Sequence, residues 1–498
     1  MNPNGARAPL ARRVRALVER ARVEYAGHEA ATSTLDALAL RLDEPLRVAI
    51  AGRVKSGKST LLNALVGEPL AAMEVGECTR AVTWYRHGRT YGAFIQRRED
   101  SRLERVGLRR LDDAVDIEPG NWTAAGLERI VIEWPAAALT ETTFIDTPGL
   151  GSLSAEVGER TSAFLVPEAE SSPADAVVYL ARHLHGSDVR ILEAFRDDDA
   201  GRPNPINAIA VVARADEVGV ARVDAMAAAT RVAERYRRDP QLRRLCQTVV
   251  PVAGLLALGA SRMTESDFQG LRRLADADER VAEALLLSTD RFTAQDQDAT
   301  PLAVEDRRRL LDRLGLFGVR LSRALLRERT VSTSQDLAHE LRRRSGIDEL
   351  RSLLATQFAA RGHVLKSRVA LAVLDRLTRR FPLDDGDAFA AELERVEADA
   401  HELAEVRLLV AVRTGGVEFH DDEVAEVERL VERAGLPVVE RLGLDAETPE
   451  EEVSNAVRSR VEHWRRRASH PLAPRATVDA AEIAMRSYEG MLLDLPSR

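Results

Sequence analysis

Lysine is nearly absent from this 498-residue chain. Of its 71 basic residues, three are lysine, at positions 55, 58 and 366, and the rest are arginine. A lysine that persists in such a background marks a place where a compact ammonium is needed and a planar guanidinium would not fit. Lys55 and Lys58 lie three residues apart in a glycine-containing segment. The sequence offers no comparable reason for Lys366.

Cysteine and long apolar segments are also scarce. The two cysteines, Cys78 and Cys246, lie far apart and in no metal-binding spacing, which excludes a disulfide framework or a cysteine zinc site and favours a reducing cytoplasm. The longest apolar run covers residues 249–260 and contains a proline, well short of the roughly 20 residues that cross a bilayer. The N-terminus does not resemble a secretory signal. Any membrane contact is therefore expected to be peripheral.

Aromatic residues make up 4% of the chain and charged residues 30%, a composition that favours long solvated helices. The formal net charge of -9 argues against a general nucleic-acid-binding protein, which needs excess positive charge, so no nucleic-acid partner is expected. The length predicts either several domains or one domain with an extended helical region.

The first half of the chain alternates between strand and helix patterns. A continuous helical pattern over 6–42 is followed by strand patterns at 46–51, 81–85, 91–96, 130–134, 143–146, 176–180, 208–213 and 248–253. The alternation predicts an α/β fold, with a mostly parallel sheet and helices on both faces. The two runs on either side of His87 and Gly88 predict an antiparallel hairpin at the sheet edge.

The chain after residue 303 shows helical patterns and no strand pattern. We predict helices at 305–329, 347–380, 388–412, 422–434, 450–467 and 477–493. The N-terminal helix is expected to pack beside them in an elongated helical bundle or stalk. The predicted division is an N-terminal bundle helix (1–44), a nucleotide-binding domain (45–332) and a C-terminal helical bundle (333–498).

A phosphate-binding loop follows the first strand and opens a helix, which is the context that this motif requires. Its glycines let backbone N–H groups turn around phosphates, Lys58 reaches the outer phosphates, and Ser59 can bind magnesium. The nucleotide contacts expected here are Gly52, Val54, Lys55, Ser56, Gly57, Lys58, Ser59 and Thr60.

Two further elements complete a predicted magnesium and γ-phosphate site. Asp146 ends a strand and begins an Asp-Thr-Pro-Gly turn, where its carboxylate can hold magnesium through water and the Gly149 N–H can contact the γ-phosphate. Thr79 precedes the strand at 81–85, in position to offer a hydroxyl to the metal. The predicted metal ligands are therefore Ser59, Thr79 and Asp146.

Base recognition is predicted after the strand at 208–213, although the pattern departs from the usual one. Guanine-specific GTPases generally carry Asn or Thr, then Lys, any residue and Asp, whereas this chain has Ala213, Arg214, Ala215 and Asp216. Asp216 can accept two hydrogen bonds from guanine, and the Arg214 stem can lie over the base as a lysine stem does. Ala213 supplies no side-chain hydrogen bond, which lowers the expected affinity. Ala253 and Gly254 can offer a backbone N–H to the guanine oxygen.

Together these motifs, in this order and each at a strand end, resemble the GTPase domain of the dynamin superfamily. Helices on both sides of the domain strengthen the likeness. The family that the chain resembles over nearly its whole length is the bacterial dynamin-like proteins of actinobacteria, which includes the isoniazid-induced proteins of mycobacteria. Residues 315–321 and 345–350 are also similar to family sequence.

The resemblance implies hydrolysis of GTP to GDP and phosphate with Mg²⁺, and nucleotide-dependent self-association through GTPase domains. It also implies peripheral binding to the inner face of the cell membrane, with fission, fusion or repair as the outcome. A paralogous dynamin-like protein as a second partner is left open. The groups expected to act in hydrolysis are Lys55, Lys58, Thr79 and Gly149.

The phosphate loop departs from eukaryotic dynamins at two positions. Val54 stands where those proteins carry a catalytic glutamine, and Lys55 stands where a serine helps to hold a monovalent cation. One hypothesis is that the Lys55 ammonium replaces that cation and neutralises charge between the β- and γ-phosphates. The alternative is that Lys55 points to solvent.

Three other functions remain compatible with the sequence: a GTPase of another class such as a ribosome-assembly factor, an ATP-dependent phosphate-loop protein, and a nucleotide-binding scaffold without membrane activity. A ribosome-assembly factor would need a basic RNA-binding module, and none is found after residue 300. The best candidate for lipid insertion is the basic and apolar segment 379–383, at the end of the longest predicted helix, although a plain loop between two helices is the preferred interpretation of this segment.

Overall fold

The chain is described by a computed structural model with side chains. The residues it describes are 10–71, 81–98, 100, 102–110, 115–117, 126–147, 174–182, 188–189, 192, 207–219, 221–294, 301–359, 361–383, 386–413, 415–433 and 436–495.

The N-terminal segment forms two helices, α1 (Leu10–Glu24) and α2 (Glu29–Asp43), where the sequence predicts one. The chain reverses between them because the turn is held by a distant residue. The Tyr25 hydroxyl donates to the Phe381 carbonyl at 2.7 Å, and the His28 ring lies 4.0 Å from the Phe381 ring. The segment 379–383 is therefore not a free lipid-inserting element, because Phe381 and Leu383 pack against the helical core.

A nine-stranded sheet forms the centre of the nucleotide-binding domain, in the order β11-β10-β9-β1-β8-β2-β7-β3-β4. Its strands are β1 (Leu46–Gly52), β2 (Thr83–His87), β3 (Gly92–Arg97), β4 (Leu103–Val106), β7 (Leu127–Trp134), β8 (Thr142–Asp146), β9 (Ala176–Ala181), β10 (Ala208–Ala213) and β11 (Val249–Val252). A separate antiparallel pair consists of β5 (Leu108–Arg110) and β6 (Val115–Ile117).

The sheet is parallel where β8, β1, β9, β10 and β11 lie side by side, and mixed on the other side. The hairpin predicted around His87 and Gly88 is wrong. β7 lies between β2 and β3, parallel to the first and antiparallel to the second. The partner strand comes about forty residues later, so the local pattern of the two runs does not reveal it. The strands β4, β5 and β6 were not predicted.

Helices cover both faces of the sheet, as predicted. Along β1, Val48 and Ile50 pack into one core that includes Leu62 of the helix after the phosphate loop. Ala49 and Ala51 point to the opposite core. The helices of this part of the chain are α3 (Lys58–Val66), α4 (Ala225–Arg237), α5 (Pro240–Arg243), α6 (Gly254–Ser261), α7 (Glu265–Asp276), α8 (Glu279–Leu285), α9 (Thr289–Thr293) and α10 (Val304–Arg327).

The rest of the described chain contains helices alone. These are α11 (Ser334–Arg344), α12 (Ile347–Leu353), a π-helix (Leu354–Ala359), α13 (Gly362–Arg380), α14 (Gly386–Asp399), α15 (His401–Arg413), α16 (Asp421–Glu432), α17 (Val438–Leu442), α18 (Glu450–Ala468) and α19 (Arg475–Asp494). α1 packs against α13 and α14, which confirms the predicted bundle of N-terminal and C-terminal helices. Among the described helices, none combines the length and apolar character needed to cross a bilayer.

Two of the long helices predicted after residue 332 are interrupted. The helix predicted at 347–380 contains the π-helix and a break at Arg361, where φ is -102° and ψ is 9°. The break lies where the chain passes Leu46 at the start of β1: a Cβ added to Gly362 would meet its side chain at 3.5 Å. The helix predicted at 388–412 is divided at Ala400.

The first helices after residue 332 return to the nucleotide-binding domain. α11 packs against α6, and α12 contacts β11 and α3. Arg351 of α12 donates from its guanidinium to the carbonyl oxygens of Ala64 at 2.6 Å and Leu65 at 3.2 Å, and so satisfies the last turn of α3. The domain division at 332 and 333 stays a prediction.

Candidate nucleotide-binding site

The phosphate loop joins the carboxyl end of β1 to the N-terminus of α3. Gly52 has a φ of 151°, and a Cβ there would lie 2.4 Å from the Leu180 carbonyl oxygen, so only glycine fits. Gly57 has a φ of 95° and Lys55 a φ of 61°, so the loop turns twice through the left-handed region. Parallel strands and a helix N-terminus at this edge form the usual setting for phosphate binding.

Lys58 is partly buried inside the loop. Its Nζ lies 3.3 Å from the carbonyl oxygens of both Gly52 and Arg53. Burial lowers the pKa of this ammonium, while the nearby Asp146 carboxylate acts in the opposite direction. A cation held among carbonyl oxygens in a partly desolvated loop is placed to bind phosphate oxygens strongly. This agrees with the role predicted for Lys58.

Ser59 and Asp146 lie together, as predicted. The Ser59 hydroxyl is 3.3 Å from Oδ2 of Asp146, and Oδ1 of Asp146 is buried without a hydrogen-bond partner among the described residues. Burial raises the pKa of Asp146 to about 6. A hydroxyl and a carboxylate are oxygen ligands of the kind that Mg²⁺ prefers, and a cation would satisfy the orphaned Oδ1. The residues present therefore fit the metal.

The other two predicted residues of the γ-phosphate site, Thr79 and Gly149, lie outside the described residues. Sequence reasoning missed Thr147, which is buried next to Asp146. Its hydroxyl donates to the Ile50 carbonyl oxygen at 3.0 Å, and so does its backbone N–H at 3.3 Å. These bonds hold the end of β8 against β1, which fixes Asp146 opposite the phosphate loop.

A cavity of about 150 Å³ adjoins the phosphate loop and reaches the ends of β10 and β11. It is lined by Ser56, Gly57, Thr60, Leu61, Leu180, Val211, Ala213, Arg214, Asp216, Glu217, Val252, Gly254 and Leu255. Arg214, Asp216 and Gly254 are thus brought together as predicted. Ala253 differs, because its N–H donates to the Ser345 carbonyl at 2.9 Å and is not free for a base. Gly254, the first residue of α6, lines the cavity, and its role as backbone donor stays a prediction.

Asp216 is 8% exposed, and burial, with a smaller effect of Glu217, raises its pKa to about 6. Arg214 acts in the opposite direction and adopts the left-handed conformation, with a φ of 51°. Its guanidinium donates to Glu217 at 2.7 Å. The Arg214 Cγ lies 4.0 Å from a Cβ placed on Gly57, so its stem extends towards the phosphate loop. This is the position predicted for a stem over the base.

A break in α10 supports the base end of the cavity, and the sequence analysis did not assign it a role. Gly315 has a φ of 66° and a ψ of 170° inside an otherwise helical segment. A Cβ at Gly315 would lie 3.3 Å from the Leu255 side chain and 3.8 Å from Oδ2 of Asp216. The one available signal was a glycine in the middle of a long helical pattern.

A buried carboxylate anchors the second residue of the phosphate loop. Arg53 donates to Asp188 at 3.0 Å, and the Tyr179 hydroxyl of β9 donates to the same oxygen at 2.7 Å. Asp188 is fully buried. By contrast, Val54 and Lys55 are exposed at the outer side of the loop. Neither lines the cavity, and the role of Lys55 stays a prediction.

Comparisons with known proteins agree with this geometry. The family model described as "Dynamin family" matches residues 48–189. The chain is 39% identical over 466 residues to the isoniazid-induced protein IniC of Mycobacterium tuberculosis, covering 93% of each. It is 28% identical over 119 residues to the bacterial dynamin-like protein of Nostoc punctiforme, covering 22% of this chain and 17% of that protein.

Among solved structures, a chain of an oligomerised bacterial dynamin pair aligns over 97% of this chain and 75% of its own, with 12% identity and a TM-score of 0.32. The family assignment rests instead on the extended match to IniC and on the family model. The chain belongs to the dynamin family, and it is a bacterial dynamin-like GTPase, a hydrolase of GTP.

Proposed function

We propose that the chain hydrolyses GTP at the site between Lys58 and Asp216, and that nucleotide-dependent pairing of two copies couples hydrolysis to the remodelling of a membrane. The observation that carries the proposal is a cavity that reaches from the phosphate loop to Asp216. Ser56 and Gly57 of the loop line one end and Asp216 the other, and the Ser59–Asp146 pair lies next to the loop. A nucleoside triphosphate with its metal needs these two ends in this order.

At the phosphate end, the backbone N–H groups of the loop and the N-terminus of α3 bind the phosphates, and Lys58 exchanges its carbonyl partners for phosphate oxygens. Ser59 and Asp146 hold Mg²⁺, with Thr79 as a third proposed ligand. When bound, the metal neutralises negative charge on the β- and γ-phosphates. Gly149 is proposed to donate its N–H to the γ-phosphate.

At the base end, the ionised Asp216 accepts hydrogen bonds from the two N–H groups on one edge of guanine, and Gly254 donates to the guanine oxygen. Adenine would leave Asp216 without those donors and would present an amino group to another donor. Unpaired polar groups in a buried site are costly, so the arrangement favours guanine. The Arg214 stem covers the base.

This chain lacks the catalytic glutamine of eukaryotic dynamins, because Val54 occupies that position and its side chain carries no polar atom. We propose that Lys55 supplies positive charge beside the bond that breaks between the β- and γ-phosphates. Its exposed position at the outer side of the loop is one that a second copy could cover during pairing. Water exclusion by that copy would strengthen the interaction of Lys55 with phosphate.

The proposed location is the cytoplasmic face of the cell membrane, bound peripherally. Family membership supports the membrane and self-association parts of the proposal, and a paralogous dynamin-like protein remains a candidate second partner.

GTP and ATP hydrolysis by the full chain, measured in parallel with and without liposomes, tests the proposal. We expect turnover of GTP and not of ATP, stimulation by liposomes, and sedimentation with them. A Ser59→Ala variant should lose turnover while keeping its fold. Turnover of GTP with no lipid binding in any nucleotide state would refute the membrane part alone, whereas equal use of ATP would refute the proposed base recognition.

A further inference from the structure

The turn between α18 and α19 presents an isolated leucine to solvent. Leu472 is 86% exposed, a value matched among the described large apolar residues only by Leu493. Pro471 and Pro474 lie on either side of it in the turn. A large apolar side chain that is this exposed adds no stability to the described fold. A binding partner that buries the side chain would explain its position.

The turn is ordered by its own hydrogen bonds. The Ser469 hydroxyl donates to the Arg465 carbonyl at 2.8 Å, the Leu472 N–H donates to the His470 ring at 3.3 Å, and the Ala473 N–H donates to the His470 carbonyl at 3.1 Å. The two prolines further restrict the backbone. Leu472 is thus presented by a preorganised turn, which reduces the entropy lost when it is buried.

The segment that contains the turn is basic in sequence. No acidic residue occurs between Glu462 and Asp479, while four arginines and two histidines do. Arg467 points inward to Glu423 at 2.9 Å. Arg466 is exposed and forms no ion pair with any described residue, and the Arg475 side chain is 93% exposed and 3.8 Å from Asp479. An apolar apex flanked by exposed guanidinium groups is complementary to an anionic lipid surface.

Leu493 provides an internal contrast at the other end of α19. It is equally exposed, but the next residue in the sequence is an aspartate, and Glu489, which pairs with Arg465 at 3.4 Å, lies one turn earlier. Carboxylates at that position would be repelled by anionic headgroups. The two leucines therefore share exposure and differ in the charge of their surroundings.

We infer that the 469–474 turn is the membrane-contacting element of this chain. Leu472 enters the boundary between headgroups and acyl chains of an anionic bilayer, while Arg466 and Arg475 contact lipid phosphates. This inference rests on the membrane part of the proposed function and names the surface that carries it. One leucine and two arginines bind weakly in a single copy, so strong binding arises when several copies assemble on one membrane.

Sedimentation of the full chain with vesicles tests the inference. The vesicles are phosphatidylcholine alone or an equal mixture with phosphatidylglycerol, with and without GTP. For Leu472→Glu, and separately for the Arg466→Glu and Arg475→Glu double variant, we expect binding to the anionic vesicles to fall about tenfold, because each change replaces attraction with repulsion. Leu493→Glu is the matched control and should bind as the parent does. GTP turnover without vesicles should be unchanged in all variants.

The outcomes separate this inference from the proposal on which it rests. If the parent binds anionic vesicles and Leu472→Glu binds as well as Leu493→Glu, the turn is not the contact, and the proposed membrane function stands. If the parent binds neither kind of vesicle, the membrane function and the inference both fail. Equal binding of the parent to neutral and anionic vesicles would overturn the role given to Arg466 and Arg475.

Discussion

The ammonium of Lys366 lies 2.8 Å from the carbonyl oxygen of Glu44 and 2.9 Å from that of Leu42. These carbonyls belong to the end of α2, where a helix leaves acceptors without internal partners. Lys366 of α13 therefore fastens the N-terminal helices to the C-terminal bundle, next to the start of β1. The third lysine of the chain, unexplained by the sequence, has a structural role.

We expect Lys366→Met to lower the free energy of unfolding by about 1–3 kcal/mol, because it leaves two carbonyl groups without a charged donor. Chemical unfolding followed by circular dichroism measures the change. His363→Ala, at an exposed position of the same helix, is the control and should stay within about 0.5 kcal/mol of the parent. Equal stability of both variants would show that the Lys366 contacts are not stabilising.

Lys58→Arg should abolish most GTP turnover although the charge is kept. Nζ of Lys58 is enclosed by the Gly52 and Arg53 carbonyls at 3.3 Å, and a broad planar guanidinium cannot occupy that space without moving the loop. We expect kcat to fall by at least about 100-fold. Arg222→Lys, an exposed exchange of the same two residue types, should leave turnover unchanged. A loss of less than about tenfold would contradict the steric argument.

Lys55→Asn tests the proposed role of the Lys55 ammonium. Asparagine tolerates the left-handed backbone found at this position, so the change removes charge with little added strain. We expect turnover to fall by more than about threefold and to become dependent on potassium, which would replace the missing cation. Steady-state kinetics in potassium and in choline buffers measure both effects. Turnover near that of the parent, without potassium dependence, would place Lys55 in solvent.

Guanine preference should depend on pH through Asp216. Burial raises the pKa of this carboxyl to about 6, so it is ionised at pH 7 and mostly protonated at pH 5. Only the ionised form accepts both guanine N–H groups. The ratio of GDP to ADP affinity is therefore expected to fall about tenfold from pH 7 to pH 5. Titration calorimetry gives the ratio, and comparison with ADP cancels the titration of the phosphates.

The matched variant for this prediction is Asp216→Asn, which cannot titrate at this position. The ratio of its GDP affinity to its ADP affinity should be low at pH 7 and independent of pH. If the same ratio for the parent stays constant between pH 5 and pH 7, Asp216 does not recognise the base.

Gly315→Ala should weaken GTP binding from outside the cavity. Alanine is strained at a φ of 66°, and its methyl group would press on Leu255, which lines the base site. We expect KM for GTP to rise about tenfold, with a smaller change in kcat, because base binding is affected more than the phosphate chemistry. Gly490→Ala, a helical position with nothing within 4 Å of the added methyl, is the control. An unchanged KM for GTP in Gly315→Ala would show that Gly315 does not support base binding.

The sequence predicted features that depend on local chemistry. The strand at Ala208–Ala213 was placed at its observed bounds, and the phosphate loop lies between a strand and a helix as predicted. Ser59 and Asp146 were correctly brought together, because the phosphate loop leads from the carboxyl end of β1 to Ser59 in the first turn of α3, and Asp146 ends the parallel neighbour β8. Arg214 and Asp216 lie close together because both follow the end of β10 directly in the chain.

Features that depend on distant partners were not predictable. The break between α1 and α2 is stabilised by contacts of Tyr25 and His28 with Phe381, more than 350 residues away. The pairing of β2 with β7 and the bond from Ala253 to Ser345 are similar cases. A periodic pattern records which face of a segment is buried, but not which other segment buries it.

The contact of Arg351 with Ala64 has a consequence for how the chain can be divided. The last turn of α3, the helix that begins at the phosphate loop, is satisfied by the guanidinium of Arg351, nearly three hundred residues later in the chain. A fragment cut at residue 332 would leave the carbonyls of Ala64 and Leu65 without that donor. The shortest autonomous piece expected to keep the nucleotide site therefore extends through residue 353. Any fusion, truncation or natural recombination that separates the site from α12 would remove the donor that satisfies the last turn of α3.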